Sequence, residues 1–141
     1  MALKMDVAAL TAFLASDFAE VADGFVVERA DMAGLDLRFL VTEQHIRPGG
    51  TVSGPAMFAL ADVAMYLAIL SRIGPRALTV TTNASIDFLR KPAAGRDIIG
   101  TARILKLGRV LVVGDVLIYS DGGADPVARA SLTYSIPPAL P

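Results

Sequence analysis

The sequence predicts an α+β domain in which a long antiparallel sheet wraps one central helix. Three observations carry that expectation. Ser53 to Arg72 reads as a helix whose interior is apolar on every side except at Asp62, and a helix apolar all round has to be covered all round. Four runs of ten or more residues with strand character follow it, each longer than the usual strand of about 5–6 residues. The chain has 141 residues, enough for one domain but too few for two cores. Residues 1–141 are therefore read as one unit. Within it, 1–22 form an N-terminal helical segment and 23–136 the sheet-and-helix core.

Each element follows from its own residues. Val7, Leu10, Leu14, Phe18 and Val21 recur at helical spacing and predict an amphipathic first helix. Asp6 and Asp17 flank the apolar run Val7–Ala15 and set it apart from a signal peptide. Phe25–Ala30 is rich in β-branched and aromatic residues, and Met32-Ala33-Gly34 breaks it. Leu35–Thr42 alternates apolar with polar. Pro48-Gly49-Gly50 makes an irregular loop. Ser53 can cap the long helix, Pro55 is tolerated in its first turn, and Gly74-Pro75 stops it. In Leu78–Arg90, Thr79, Thr81, Asn83, Ser85 and Asp87 are expected on one face, with Val80, Ala84, Ile86 and Phe88 on the other. Asp97–Leu107, Val110–Ser120 and Val127–Ile136 are the remaining strands, separated by Gly108 and by Asp121-Gly122-Gly123.

Composition excludes several chemistries. There is no cysteine, so disulfides, thiolate metal sites and a cysteine nucleophile are out. His45 is the single histidine, so a multi-histidine metal site is out, and a Ser-His triad would have to use that residue. No metal or cofactor is expected. The net charge is −1, without the broad basic footprint of a nucleic-acid binder. Pro55–Leu70 falls short of the roughly 20 residues of a membrane span and carries Asp62 at its centre. No membrane partner is expected, and the expected setting is cytoplasmic. Hydrophobic residues reach 54% and charged residues only 19%, against about 45–50% and 25% in typical domains. That excess points to a subunit that hides surface in an oligomer.

Asp62 stands alone among apolar neighbours. Burying a carboxylate is costly unless it is paired. It is either a structural tie between helix and sheet or a general base. Gly54 begins the helix, where N–H groups lack internal partners and carry the positive end of the dipole. That suits a carbonyl oxygen that becomes an anion. Eight positions separate Gly54 from Asp62, about 12 Å along one helix, too far to act on one carbonyl. If two copies pack their long helices antiparallel, Gly54 of one faces Asp62 of the other, giving two composite sites per dimer. Arg90, Lys91, Arg96, Lys106 and Arg109 lie around the turns between the late strands. They are either phosphate contacts or solvated turn charges. His45, in a loop, is read as a packing or surface residue.

The stretch Arg47-Pro-Gly-Gly-Thr-Val-Ser-Gly-Pro-Ala-Met-Phe-Ala-Leu-Ala-Asp62-Val-Ala-Met-Tyr66 resembles the loop-and-helix motif of hotdog-fold acyl-CoA thioesterases. The type it resembles is that of phenylacetate degradation, in the 4-hydroxybenzoyl-CoA thioesterase superfamily. Asp87-Phe-Leu-Arg-Lys-Pro92, Lys106-x-Gly-Arg109 and Ala130-Ser-Leu-Thr-Tyr134 are similar to later segments of the family. The resemblance covers roughly residues 20–136. It implies a hotdog fold, with Asp62 as general base or nucleophile and the Gly54 N–H polarising the thioester carbonyl. Thr81 would position water, with Asn83 beside it. It also implies a homodimer, of the kind that the family often pairs into a dimer of dimers. Three positions depart from the pattern: Ser53 replaces the family's histidine, Pro55 a glycine and Arg47 an asparagine. Ser53 can still cap the helix. Arg47 can pair with the partner's Asp62 or contact an acidic acyl group.

The implied function is hydrolysis of an acyl-CoA to a free acid and CoA. The acyl chain would lie beside Met57 and Phe58, with Arg90, Lys106 and Arg109 near the CoA phosphates. One alternative is a non-catalytic binder of acyl-CoA or lipid-like ligands. A hotdog dehydratase ranks lower, since it would need a site histidine and only His45 is available.

Overall fold

The structure, a computed structural model, describes residues 2–138. Asp6 starts helix α1 (Val7–Asp17) by accepting the Ala9 N–H on its carboxylate. The single helix expected as far as Val21 breaks at Phe18, which leaves the helical region at φ −132°, ψ 44°. The short helix α2 (Ala19–Ala22) follows. The break sets Phe18 edge-on to Tyr66, with ring centroids 6.0 Å apart. Leu10, Phe13 and Leu14 of α1 are buried.

Strands β1 (Phe25–Asp31) and β2 (Gly34–Phe39) form a hairpin. Helix α3 (Gly54–Ile73) comes next. Ser53 caps it as expected, its Oγ accepting the Ala56 N–H. Gly74, at φ 97°, ends it, because a side chain there would be strained. Strands β3 (Val80–Phe88), β4 (Ile98–Leu107), β5 (Leu111–Ser120) and β6 (Ala128–Ser135) complete the domain. They join one antiparallel sheet in the order β1-β2-β4-β5-β6-β3. The sheet curls around α3, which gives the α+β hotdog architecture.

Leu60, Ala64, Met65, Leu67 and Ile69 of α3 are enclosed against Ile98, Val112, Val116 and Ile118. Each large apolar side chain buried this way contributes about 1.5–3 kcal/mol. The helix approaches the sheet closely at Gly114. A Cβ there would overlap Met65 Cε and the Arg103 carbonyl oxygen. Outside the core, Arg38 on β2 holds Glu28, Asp97 and Asp121 at 2.8, 3.2 and 2.9 Å.

Three expectations are corrected. First, α3 is not covered all round: Pro55 and Phe58 are exposed and Ala59 and Asp62 half-buried. These positions recur at helical spacing and form one open stripe. The stripe lies beside β3, the outer edge of the sheet. Second, the alternation in β3 is broken by a bulge between Thr81 and Asn83. Thr81 pairs with Tyr134 and faces the helix, whereas Asn83 pairs with Thr133 and faces outward. The extra residue, Thr82, shifts the pleat by one. Third, α3 has 20 residues, and its most apolar 18-residue stretch has a mean hydropathy of 1.7, so length alone does not separate it from a membrane span. In this fold the same apolar residues are the core.

Candidate active site

Two clefts open beside the α3 stripe. One, of about 390 Å³, is lined by Asp17, Phe18, Asp62, Val63, Tyr66, Thr79, Thr81 and Tyr134 among others. The second, of about 380 Å³, is lined by Arg47, Gly54, Met57, Phe88, Arg90 and Lys91 among others. Asp62 and Gly54 thus belong to separate clefts of one chain, as an offset of eight helical positions requires.

Asp62 is held by two hydroxyls. Thr81 Oγ1 donates to Asp62 Oδ1 at 2.6 Å, and Tyr134 Oη donates to the same oxygen at 2.6 Å. Tyr134 Oη also lies 2.7 Å from the Asp62 carbonyl oxygen. Among the described residues Oδ2 has no hydrogen-bond donor and no cation within salt-bridge distance. Tyr134 is buried. Burial, with the Asp62 carboxylate beside it, pushes its phenol well above the usual tyrosine range, so the proton stays on the oxygen. Burial, and next the charge of Asp17, also raises Tyr66. Tyr66 donates to the Ala77 carbonyl at 2.9 Å.

At the other cleft, the first turn of α3 presents one open donor. Ala56 N–H goes to Ser53 Oγ and Met57 N–H to the Ser53 carbonyl. Pro55 has no N–H. The Gly54 N–H alone has no acceptor among the described residues. The Phe88 ring packs over Gly54, 3.2 Å from where a Cβ would stand. A backbone donor at the positive end of a 20-residue helix is a ready site for developing negative charge.

The other predicted residues divide. Met57, Arg47 and Arg90 line the Gly54 cleft, and Lys91 joins them. Arg47 has no carboxylate within salt-bridge distance among the described residues. Arg90 donates to the Pro126 carbonyl. Phe58 lines neither cleft and is 40% exposed on the open stripe. Asn83 faces outward, away from Asp62, because of the bulge. Lys106 shares its outward row through Val113 and Thr133. Arg109 lies in the turn between β4 and β5, near the Val80 end of β3, while Arg90 follows Phe88 at the other end. Nine residues of strand, about 30 Å, separate those ends. Arg90 and Arg109 therefore do not act on one phosphate within a chain. His45 accepts the Thr42 N–H on Nδ1 at 2.9 Å, packs edge-on to Phe39, and lines neither cleft. Among the described residues no three His, Cys, Asp or Glu side chains gather as a metal site.

In the sequence Tyr134 stands only at the end of the Ala130–Tyr134 segment of the last strand, with no role beside Asp62. Its only signal was a polar tip among inward-facing apolar residues, which a buried hydroxyl has to satisfy.

Residues 49–127 match the sequence profile of the thioesterase superfamily. A solved structure of a provisionally assigned thioesterase from Silicibacter sp. TM1040 is 52% identical, covers 98% of this chain and 96% of its own, and superposes with a TM-score of 0.91. Zebra fish thioesterase superfamily member 2 is 25% identical over 93% of this chain and 95% of its own, with a TM-score of 0.78. The PaaI protein of the E. coli phenylacetic acid degradation operon is 25% identical over 92% and 91%, with a TM-score of 0.77. No curated protein matches the chain in sequence.

Proposed function

The chain belongs to the thioesterase superfamily, and we propose that it hydrolyses an acyl-CoA to a carboxylic acid and CoA in a site shared by two copies. The observation that carries the proposal is the open stripe of α3. It sets an unoccupied carboxylate oxygen and an unoccupied backbone donor on one uncovered surface, about 12 Å apart. A second copy packed antiparallel on that stripe brings the partner's Asp62 to Gly54, twice, by symmetry. Phe58 on the stripe and Val80 and Phe88 on the β3 edge are exposed apolar groups that such a partner would cover.

In this reading the thioester carbonyl oxygen accepts the Gly54 N–H. Water sits between Asp62 Oδ2 and Thr81 Oγ1, which has given its own proton to Oδ1 and keeps lone pairs to accept one. Oδ2 removes a proton from that water as its oxygen bonds to the acyl carbon. The negative charge then grows on the oxygen held at Gly54. Collapse breaks the carbon–sulfur bond, and the CoA thiolate leaves, taking the proton back from Asp62. No metal or cofactor takes part. Arg47, Arg90 and Lys91 at the Gly54 cleft supply positive charge for the CoA phosphates. Ser53 keeps the cap in place of the family's histidine. The proposal keeps the homodimer, with a dimer of dimers open to it, and the cytoplasmic setting.

A thiol-release screen over short, medium, long and aromatic acyl-CoAs tests this, with Asp62→Asn as control. We expect turnover of at least one class, lowered about 10²–10⁴-fold by Asp62→Asn. Full turnover in the variant would contradict the mechanism. The rival, a non-catalytic binder, rests on Arg47 and Ser53 standing where the family has Asn and His. It predicts stabilisation by acyl-CoA with no thiol released from any member of the panel.

A further inference from the structure

Asp62 lies on the rim of its cleft, half-buried, at the middle of a helix whose buried residues are apolar apart from Ser71 and the hydroxyl of Tyr66. A carboxylate on a flexible two-bond stem would ordinarily present either oxygen. Here it does not have that choice. Thr81 from β3 and Tyr134 from β6 both donate to Oδ1, each at 2.6 Å. These are short contacts of the charge-assisted kind. They come from two adjacent strands, which fixes the carboxylate plane from two directions. Tyr134 Oη also lies 2.7 Å from the Asp62 backbone carbonyl oxygen, so its one proton is directed between the side chain and main chain of the same residue. The ring is buried and packed beside Tyr66, with centroids 6.3 Å apart. The phenol position is therefore set by the core and not by solvent.

We propose that Tyr134 is a positioning residue: it holds Asp62 through Oδ1 so that Oδ2 alone is presented to the cleft as the reacting oxygen. The assignment rests on the hydrolase reading for the word reacting, and on geometry alone for the rest. The two hydroxyls are not equivalent. Thr81 is exposed, lines the cleft and can also accept from water, so it belongs to the chemistry. Tyr134 gives its one proton to Asp62 from the buried side and acts on substrate only through it. Its raised phenol pKa fits that role, since the group stays a donor across the working pH range.

Tyr134→Phe removes only the hydroxyl and keeps the ring that fills the core. In the thiol-release assay we expect kcat to fall about 100-fold, the scale of a misplaced catalytic group, with KM within about twofold. In an Asp62→Asn background, which no longer has a carboxylate to orient, Tyr134→Phe is expected to change the residual rate by less than about twofold. A purely structural role would lower the rate by a similar factor in both backgrounds, and that result would overturn the proposal. So would an unchanged kcat in the single variant. A crystal structure of Tyr134→Phe reads the same claim without turnover. The Asp62 carboxylate is expected to rotate away from its present plane. A carboxylate left in place, with Oδ1 still on Thr81, would overturn the proposal even if the wild-type protein hydrolysed nothing. Silence of the wild type on the whole panel would instead count against the hydrolase reading. If Tyr134→Phe fails to fold, Thr81→Val with Tyr134 intact gives the complementary test. The phenol alone should then keep the carboxylate plane in the crystal, and a rotated carboxylate would refute its role.

Discussion

Replacing Gly54 by proline deletes one atom group, the N–H proposed to receive the thioester oxygen, with little else changed at the helix start. Ser53 already has φ −72° and ψ 156°, the extended conformation that a residue preceding proline adopts. Proline is also favoured in the first helical turn. The variant does add a Cβ, 3.2 Å from Phe88 Cζ. That ring is 54% exposed and can yield by a few tenths of an ångström. The control is Gly54→Ala, which carries the same Cβ before Pro55 and keeps the N–H. Loss of one oxyanion donor costs about 2.7–4 kcal/mol in the transition state. The proline variant is therefore expected to lose about 10²–10³-fold in kcat relative to the alanine variant. Thermal unfolding of the two variants should coincide to within a few degrees. Thiol release under saturating acyl-CoA measures the first quantity and calorimetry the second. Equal kcat for the two variants would refute the role given to the backbone donor.

Further expectations follow from the packing and the charges. Gly114→Ala forces a methyl against Met65 Cε and the Arg103 carbonyl, and urea unfolding should show a loss of about 1–3 kcal/mol. Phe58→Glu places a charge on the open stripe beside Asp62. Sedimentation should show dimerisation weakened by about 3–5 kcal/mol if that stripe is the interface. The Arg38 guanidinium, by hydrogen bonding, holds the Asp121 carboxyl below the usual range. Stability from this contact is present above the unfolded carboxyl pKa of about 4 and is lost as pH falls through the lower folded value. Arg38→Met should therefore lower the unfolding midpoint at pH 7, with a difference that shrinks below about pH 4.

How far the residues foretold the molecule depends on which physical signal each part used. The long strands and α3 were legible because alternation and an all-round apolar helix have few structural solutions. Asp62 was legible because it interrupts that helix. The separation of Gly54 from Asp62 followed from helical rise alone, and the proposal of a site shared by two copies rests on it. The bulge at Thr82 was not legible. It depends on pairing with β6, and local alternation in Thr79–Asp87 gives no sign of an extra residue, so Asn83 was assigned the wrong face. Tyr134 was missed for a related reason. A tyrosine among inward residues needs a partner, but only the fold shows that the partner is Asp62, 72 positions earlier in the chain. The break at Phe18 likewise answers to Tyr66, not to the periodicity of the first helix.

Complementation between two inactive chains tests the shared site most directly. Gly54→Pro and Asp62→Asn protomers are prepared separately, mixed, unfolded and refolded together, and assayed for thiol release. In a mixed dimer, one site takes Gly54 from the Asp62→Asn chain and Asp62 from the Gly54→Pro chain, and is whole. The other site lacks both groups. Random pairing makes half the dimers mixed, so recovery to about a quarter of wild-type activity is expected. Activity that stays at the level of the separate variants, in mixtures shown to contain mixed dimers, would contradict a site built from two copies.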